Sequence, residues 1–265
     1  MKYLLGFIGC GNMGGALVTA AAKKVRPDQI AVCDRHEEKL QALETSFGVL
    51  RASAEEIAKE AKFVVLGVKP QAMQSTLSPI AQILRERDDA ILVTMAAGLS
   101  ISALRDYVQK PLPVIRIMPN TPVARGAGMV LFTTDGVSAN VKTEFLTAFS
   151  KAGTFDELPE EKMDAGSALS GCGPAFVYAF AEALADGGVE CGLTRTQAEL
   201  YAAQTLLGAA EMLLAFGHPA DLKNAVCSPG GTTIAGMHAL ENSGFRGGAM
   251  SAVLAAYKRT LELKK

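Results

Sequence analysis

The sequence predicts an α/β protein in which a doubly wound, mostly parallel sheet is followed by an all-α domain. Two observations carry this. In the first half, short apolar runs occur at residues 3–8, 30–33, 63–68, 90–95, 114–118 and 129–132. They are β-branched or aromatic and often apolar at consecutive positions, as strands buried on both faces are. Amphipathic stretches at 37–47, 53–60 and 71–87 separate the earlier runs, and strand–helix alternation implies helices on both faces of a parallel sheet. In the second half, past Glu157-Leu158-Pro159, strand signals stop. Residues 175–185, 197–216 and 250–263 read as helices rich in Ala, Leu and Met, punctuated at Gly187-Gly188, Gly217-His218-Pro219 and Pro229-Gly230-Gly231. The expected domains are 1–157 and 158–265.

Composition narrows the function classes. Of the 265 residues, 49% are apolar and 20% charged, which suits an ordinary folded core. A formal net charge of −1 and the absence of a basic stripe speak against nucleic acid or an anionic membrane as partner. The short cluster Lys23, Lys24 and Arg26 reads as a solvated helix end. Cys10, Cys33, Cys172, Cys191 and Cys227 are scattered, with no Cys-x-x-Cys pair; they read as small thiols in a reducing compartment, without a metal site. No run of about 18 apolar residues free of charge is present, and a cytoplasmic location is expected. Few charges interrupt residues 198–216. A helix apolar over so much of its surface must be covered on several sides, and a second subunit supplies that cover most simply, so a homodimer through the helical domain is expected.

The first strand runs into Gly9-Cys10-Gly11-Asn12-Met13-Gly14 and then a helical pattern. This is Gly-x-Gly-x-x-Gly in the strand–turn–helix setting of a Rossmann-type dinucleotide site. Gly9 permits the turn, Gly11 lets backbone approach a pyrophosphate, and Gly14 lets helix pack on strand. The helix start adds free N–H groups and a positive dipole end. Asp34 closes the second strand, where a carboxylate bonds the adenosine 2′-hydroxyl of NAD; Arg35 follows, where a guanidinium takes the 2′-phosphate of NADP. The two pull in opposite directions. Later strand ends supply Val68, Lys69 and Pro70, then Ala96, Ala97 and Gly98, then Asn120, as further cofactor contacts.

The block 219–241 is the most distinctive. Ser228-Pro229-Gly230-Gly231 ends one helix, and Thr232 and Thr233 start the next. Free N–H groups at a helix start, with hydroxyls beside them, suit a carboxylate, or else form a plain N-cap. This block resembles the signature of the Δ1-pyrroline-5-carboxylate reductase family. So, in order, do residues 7–14, Val68-Lys69-Pro70, Met118-Pro119-Asn120-Thr121-Pro122, Ser170-Gly171-Cys172-Gly173-Pro174-Ala175 and Ala185-Asp186-Gly187-Gly188-Val189. The resemblance covers essentially the whole chain. It implies reduction of the cyclic imine L-1-pyrroline-5-carboxylate to L-proline by NADPH, or by NADH. It implies that the Thr233 hydroxyl contacts the imine nitrogen, and that Ser228, Gly230, Gly231, Thr232 and Thr233 hold the substrate carboxylate. It also implies dimers through the helical domain, often assembled as rings of five. Two positions depart from the family pattern. Asp34-Arg35 stands where Ser or Asn with Arg is frequent, and Ala54 where many members have an Asn that helps hold the adenosine-ribose phosphate. Both bear on cofactor choice.

Two rival readings remain. β-Hydroxyacid dehydrogenases share a start like residues 6–14 but need a lysine on the first long helix of the second domain. Here that helix reads Gly173-Pro174-Ala175-Phe176-Val177-Tyr178-Ala179-Phe180, without one. A non-catalytic dinucleotide sensor would be expected to lose Thr233 or the Gly230-Gly231 turn, and both are present.

Overall fold

The computed structural model describes residues 1–262; Leu263, the expected end of the last helix, lies outside them. Eight strands form one sheet in the order β3-β2-β1-β4-β5-β6-β7-β8. They are β1 (Tyr3–Ile8), β2 (Ile30–Cys33), β3 (Leu50–Arg51), β4 (Ala61–Leu66), β5 (Ile91–Thr94), β6 (Val114–Met118), β7 (Gly128–Asp135) and β8 (Gly153–Glu157). All neighbours are parallel except β6 and β7. Strand order reverses between β1 and β4, which makes the crevice at their carboxyl ends the ligand position of such sheets.

The helices of this part are α1 (Asn12–Ala22), α2 (Glu37–Phe47), α3 (Ala54–Glu60), α4 (Met73–Leu77), α5 (Ala81–Arg85), α6 (Ile101–Val108), α7 (Ala139–Ala148) and α8 (Met163–Ser170). They cover both sheet faces, so each strand feeds two cores. Leu5, Phe7, Phe63 and Val65 pack with Leu17, Phe145 and Phe149, whereas Tyr3, Ile8, Val64 and Leu66 pack with Ile57, Leu77 and Leu104. That is why these strands read as continuous apolar runs.

The structure departs from the sequence reading in several places. The stretch 71–87 is two short helices, because Pro79 has no N–H to continue the first. Two edge strands carry no strand signal in the sequence: β3 is exposed and only two residues long, and β8 carries exposed Thr154, Asp156 and Glu157 around half-buried Phe155. Gly187-Gly188 does not stop a helix, for α9 (Gly173–Glu190) runs through it. A Cβ on Gly188 would stand 3.2 Å from the Ala198 Cβ, so the glycine is there for close helix approach.

The chain divides into two compact units, Met1–Cys172 with the chain end from Tyr257, and Gly173–Ala256. The division falls past Glu157 because α8 packs on the sheet. Met163 is fully buried against Met118 and Leu131, and Arg116 at the centre of β6 reaches Asp164 at 3.1 Å and Glu160 at 3.0 Å. Arg116 and Asp164 are 1% and 2% exposed. Glu160 also accepts the Ile101 N–H at the start of α6. Among the described residues, Glu160–Glu190 is long and apolar enough to cross a membrane, by length and composition only; its first part is this sheet-packed segment.

The second unit holds α9, α10 (Arg195–Phe216), α11 (Pro219–Ala225), α12 (Thr232–Asn242) and most of α13 (Phe245–Glu262). Thr194 and Gln197 form a capping box at the start of α10. Within this unit only Ala185, Ala198 and Ala202 are buried, whereas Leu200, Leu207, Met212, Leu213, Leu214 and Phe216 on α10 are exposed. One chain leaves this unit without a core of its own.

Breaking a buried ion pair by removing one partner costs about 3–5 kcal/mol. Arg116→Met is expected to lose a stability of that order in urea unfolding at neutral pH. A loss below about 1 kcal/mol would show that the pair is not an anchor of β6.

Candidate active site

The dinucleotide site is built from backbone before side chains. Gly9, at φ +97°, leaves β1 and turns over the end of β4. A Cβ on Gly14 or on Gly67 would fall 2.2 Å from the Gly9 carbonyl oxygen, so three backbones meet where no side chain fits. Gly9 donates to Cys33 O at 2.8 Å and Gly67 to Ile8 O at 2.8 Å, which ties the turn to the strand ends on either side. Gly11 differs: a Cβ there would meet nothing within 4 Å. It faces open space at the start of α1, whose N-terminus has no side-chain cap.

In front lies a crevice of about 430 Å³ lined by Gly9, Gly11, Asp34, Arg35, Val68 and Lys69 among the expected residues. The structure adds His36, Lys39 and Thr76 to the lining, which no motif had marked. Lys39 is found only through the register of α2, which returns it one turn after Arg35. Cys10 sits beneath the turn; burial first, and the Asp34 charge second, push its thiol up to about 12, so it is inert at neutral pH. Asn12 and Met13 open α1, and Pro70 opens a short turn after Lys69. Ala96, Ala97 and Gly98 follow β5, with Gly98 at φ +75°.

Asn120 follows β6, but its amide is engaged in holding the fold: Nδ2 donates to Ser170 O at 2.9 Å and Oδ1 accepts the Met129 N–H at 2.9 Å. Asp34 is likewise engaged. Its Oδ2 accepts the Cys10 N–H at 2.7 Å, and its Oδ1 accepts the His36 N–H at 2.9 Å.

In the second unit, Gly230 at φ +68° makes the turn before α12. A Cβ on Gly231 would lie 2.5 Å from Ser228 Oγ, so a larger residue there would displace that hydroxyl. Gly231 donates to Ser228 O at 3.0 Å. The α12 start has no side-chain cap, unlike α3, α6, α7 and α10. Ser228, Thr232 and Thr233 are exposed. The N–H groups of the first turn and these hydroxyls are hydrogen-bond donors gathered at a helix start, the kind of group from which a carboxylate accepts.

Residues 4–98 match the family described as NADP oxidoreductase, coenzyme F420-dependent, and residues 160–263 match pyrroline-5-carboxylate reductase dimerisation. The class is thus an oxidoreductase with a Rossmann-type nucleotide domain and a helical domain through which it oligomerises. A pyrroline-5-carboxylate reductase of Methanosarcina acetivorans is 39% identical, over 98% of both chains. A solved pyrroline-5-carboxylate reductase from Coxiella burnetii superposes with TM-score 0.91 at 31% identity, over 100% of each chain. One from Plasmodium falciparum, with NADP bound, superposes with TM-score 0.87 at 31% identity, over 99% of this chain and 98% of its own. The chain belongs to the pyrroline-5-carboxylate reductase family.

Two glycine variants separate packing from ligand approach. Gly67→Ala must displace the Gly9 carbonyl and is expected to cost about 1–3 kcal/mol in urea unfolding. Gly11→Ala is expected to leave stability within about 0.5 kcal/mol while weakening NADPH binding, measured by quenching of nucleotide fluorescence. Unimpaired NADPH binding by Gly11→Ala would contradict the approach of a ligand at Gly11.

Proposed function

We propose that the chain reduces L-1-pyrroline-5-carboxylate to L-proline, with NADPH as the preferred reductant and NADH also accepted. The observation that carries this is the full-length relationship to pyrroline-5-carboxylate reductases, with both site motifs intact. The crevice fits a dinucleotide. Gly9, Gly11 and the start of α1 would hold the pyrophosphate; Val68, Lys69, Pro70 and Ala96 to Gly98 would border the nicotinamide-ribose. Arg35, His36, Lys39 and Lys69 line the crevice with nitrogen groups, and cations beside the end of β2 would favour a cofactor that carries a 2′-phosphate. When bound, the nicotinamide supplies the hydride.

The remaining work falls to the α12 turn. The N–H groups of Gly231, Thr232 and Thr233, with Ser228, would orient the substrate through its carboxylate. The Thr233 hydroxyl would hydrogen-bond the ring nitrogen. A protonated imine accepts hydride readily, so catalysis is largely positioning, and no strong acid is required at the carbon. The α12 turn and the crevice belong to different compact units. The helical unit would pair with a second copy, and dimers would assemble further into a ring of five. A cytoplasmic enzyme accords with five free cysteines.

The test follows loss of reduced-nicotinamide absorbance with L-1-pyrroline-5-carboxylate, comparing NADPH with NADH. Turnover faster with NADPH is expected; no turnover with either cofactor, from folded protein, overturns the assignment. Thr233→Ala removes a bond to a partly charged group, worth about 1.5–3 kcal/mol, so kcat/KM is expected to fall about ten- to a hundredfold. An unchanged kcat/KM would remove Thr233 from the mechanism.

A further inference from the structure

Asp34 occupies the place where an acid commonly bonds the adenosine ribose, yet its bonds here run into the protein. Oδ2 takes the Cys10 N–H at 2.7 Å. Oδ1 takes the His36 N–H at 2.9 Å and stands 2.8 Å from His36 Nδ1. A carboxylate has about four acceptor positions; backbone N–H groups fill two, and His36 Nδ1 crowds a third. The side chain is only 8% exposed. A ribose edge presenting two hydroxyls therefore finds at most one open position.

The partner of Oδ2 matters more. Cys10 is the second residue of the phosphate turn. Its thiol leans on Cys33 O at 3.8 Å, and the preceding Gly9 N–H also goes to Cys33 O. Two consecutive N–H groups of the turn are thus spent on the end of β2, the second on Asp34. Burial pushes the Asp34 carboxyl up, but hydrogen bonds from His36 and Cys10 and the Lys39 charge outweigh it, leaving it below its ordinary value and ionised at neutral pH. A charged acceptor strengthens the bond to Cys10.

We infer that Asp34 is a positioning residue that clamps the phosphate turn through the Cys10 N–H, and that it does not discriminate between cofactors at the adenosine 2′-position. A neutral Ser or Asn at this place would offer no ionised acceptor pair. In this chain the turn is held by a charge, and the choice at the 2′-position is left to the neighbouring cations. The inference rests on the dinucleotide reading of the crevice, but the clamp itself is a property of the unliganded chain.

Two measurements test it. Amide hydrogen exchange on the unliganded protein reads the clamp directly. Cys10 is expected to be protected at least tenfold more than Asn12, whose N–H opens α1 uncapped, and Asp34→Ala, which leaves no side-chain acceptor, is expected to lose that protection. Equal exchange at Cys10 and Asn12 in the wild type overturns the clamp without any need for a folded variant. Fluorescence titration of Asp34→Asn with NADPH and with NADH reads selectivity. The expected result is that both dissociation constants rise by a similar factor, about tenfold, with their ratio held within about twofold. A variant that loses NADH while gaining NADPH affinity would make Asp34 the ribose acceptor and overturn the inference. Failure of the wild type to bind either dinucleotide would strike the proposed function and leave the clamp judged by exchange alone.

Discussion

Three backbones meet without side chains at the end of β1, and the nucleotide site depends on that contact. The Gly9 carbonyl lies where a Cβ of either Gly14 or Gly67 would be. Because of this, α1 starts directly over the sheet, β1 and β4 stay paired to their ends, and the N-terminus of α1 faces the crevice. A methyl group at either position would push the helix or the strand outward, and the phosphate position would move with it. The constraint is steric and short-ranged, so it cannot be shared out among neighbouring residues.

Polar anchors extend this frame. Asp34 fastens the turn to β2. On the far side of the sheet, Arg116 joins β6 to α8 and, through Glu160, to the first turn of α6, which follows the Ala96-Ala97-Gly98 segment. Asn120 joins the end of β6 to β7 and α8. Segments that follow β2, β5 and β6 are thus held by charged or amide groups, several of whose partners lie far away in sequence. A loop free of such ties would cost entropy to order on binding.

The helical unit obeys a different rule. Its longest helix, α10, opens on a capping box, yet in one chain the unit buries only three alanines. Hydrophobic stabilisation scales with area removed from water, so a surface bearing Leu200, Leu207, Leu213 and Phe216 needs a partner. That agrees with the dimerisation family matched by these residues.

Much of this was legible in the sequence by itself. Short apolar runs, often unbroken, located the central strands, because a strand covered on both faces leaves no room for polar residues. The Gly-x-Gly-x-x-Gly turn and the Gly230-Gly231-Thr232-Thr233 turn were legible because each rests on local backbone geometry. What only the tertiary structure decided depends on distant partners. Edge strand β3 is two exposed residues, and β8 turns only Phe155 toward the core between exposed Thr154 and Asp156. Gly188 looks like a helix stop until Ala198 is placed beside it. Lys39 enters the crevice by helical register. Asp34 reads as a ribose acceptor from its position on β2, and becomes a clamp only when the Cys10 N–H, twenty-four residues earlier in the chain, is brought within 2.7 Å. Local sequence specifies a residue's chemistry, but packing determines which donor reaches it first.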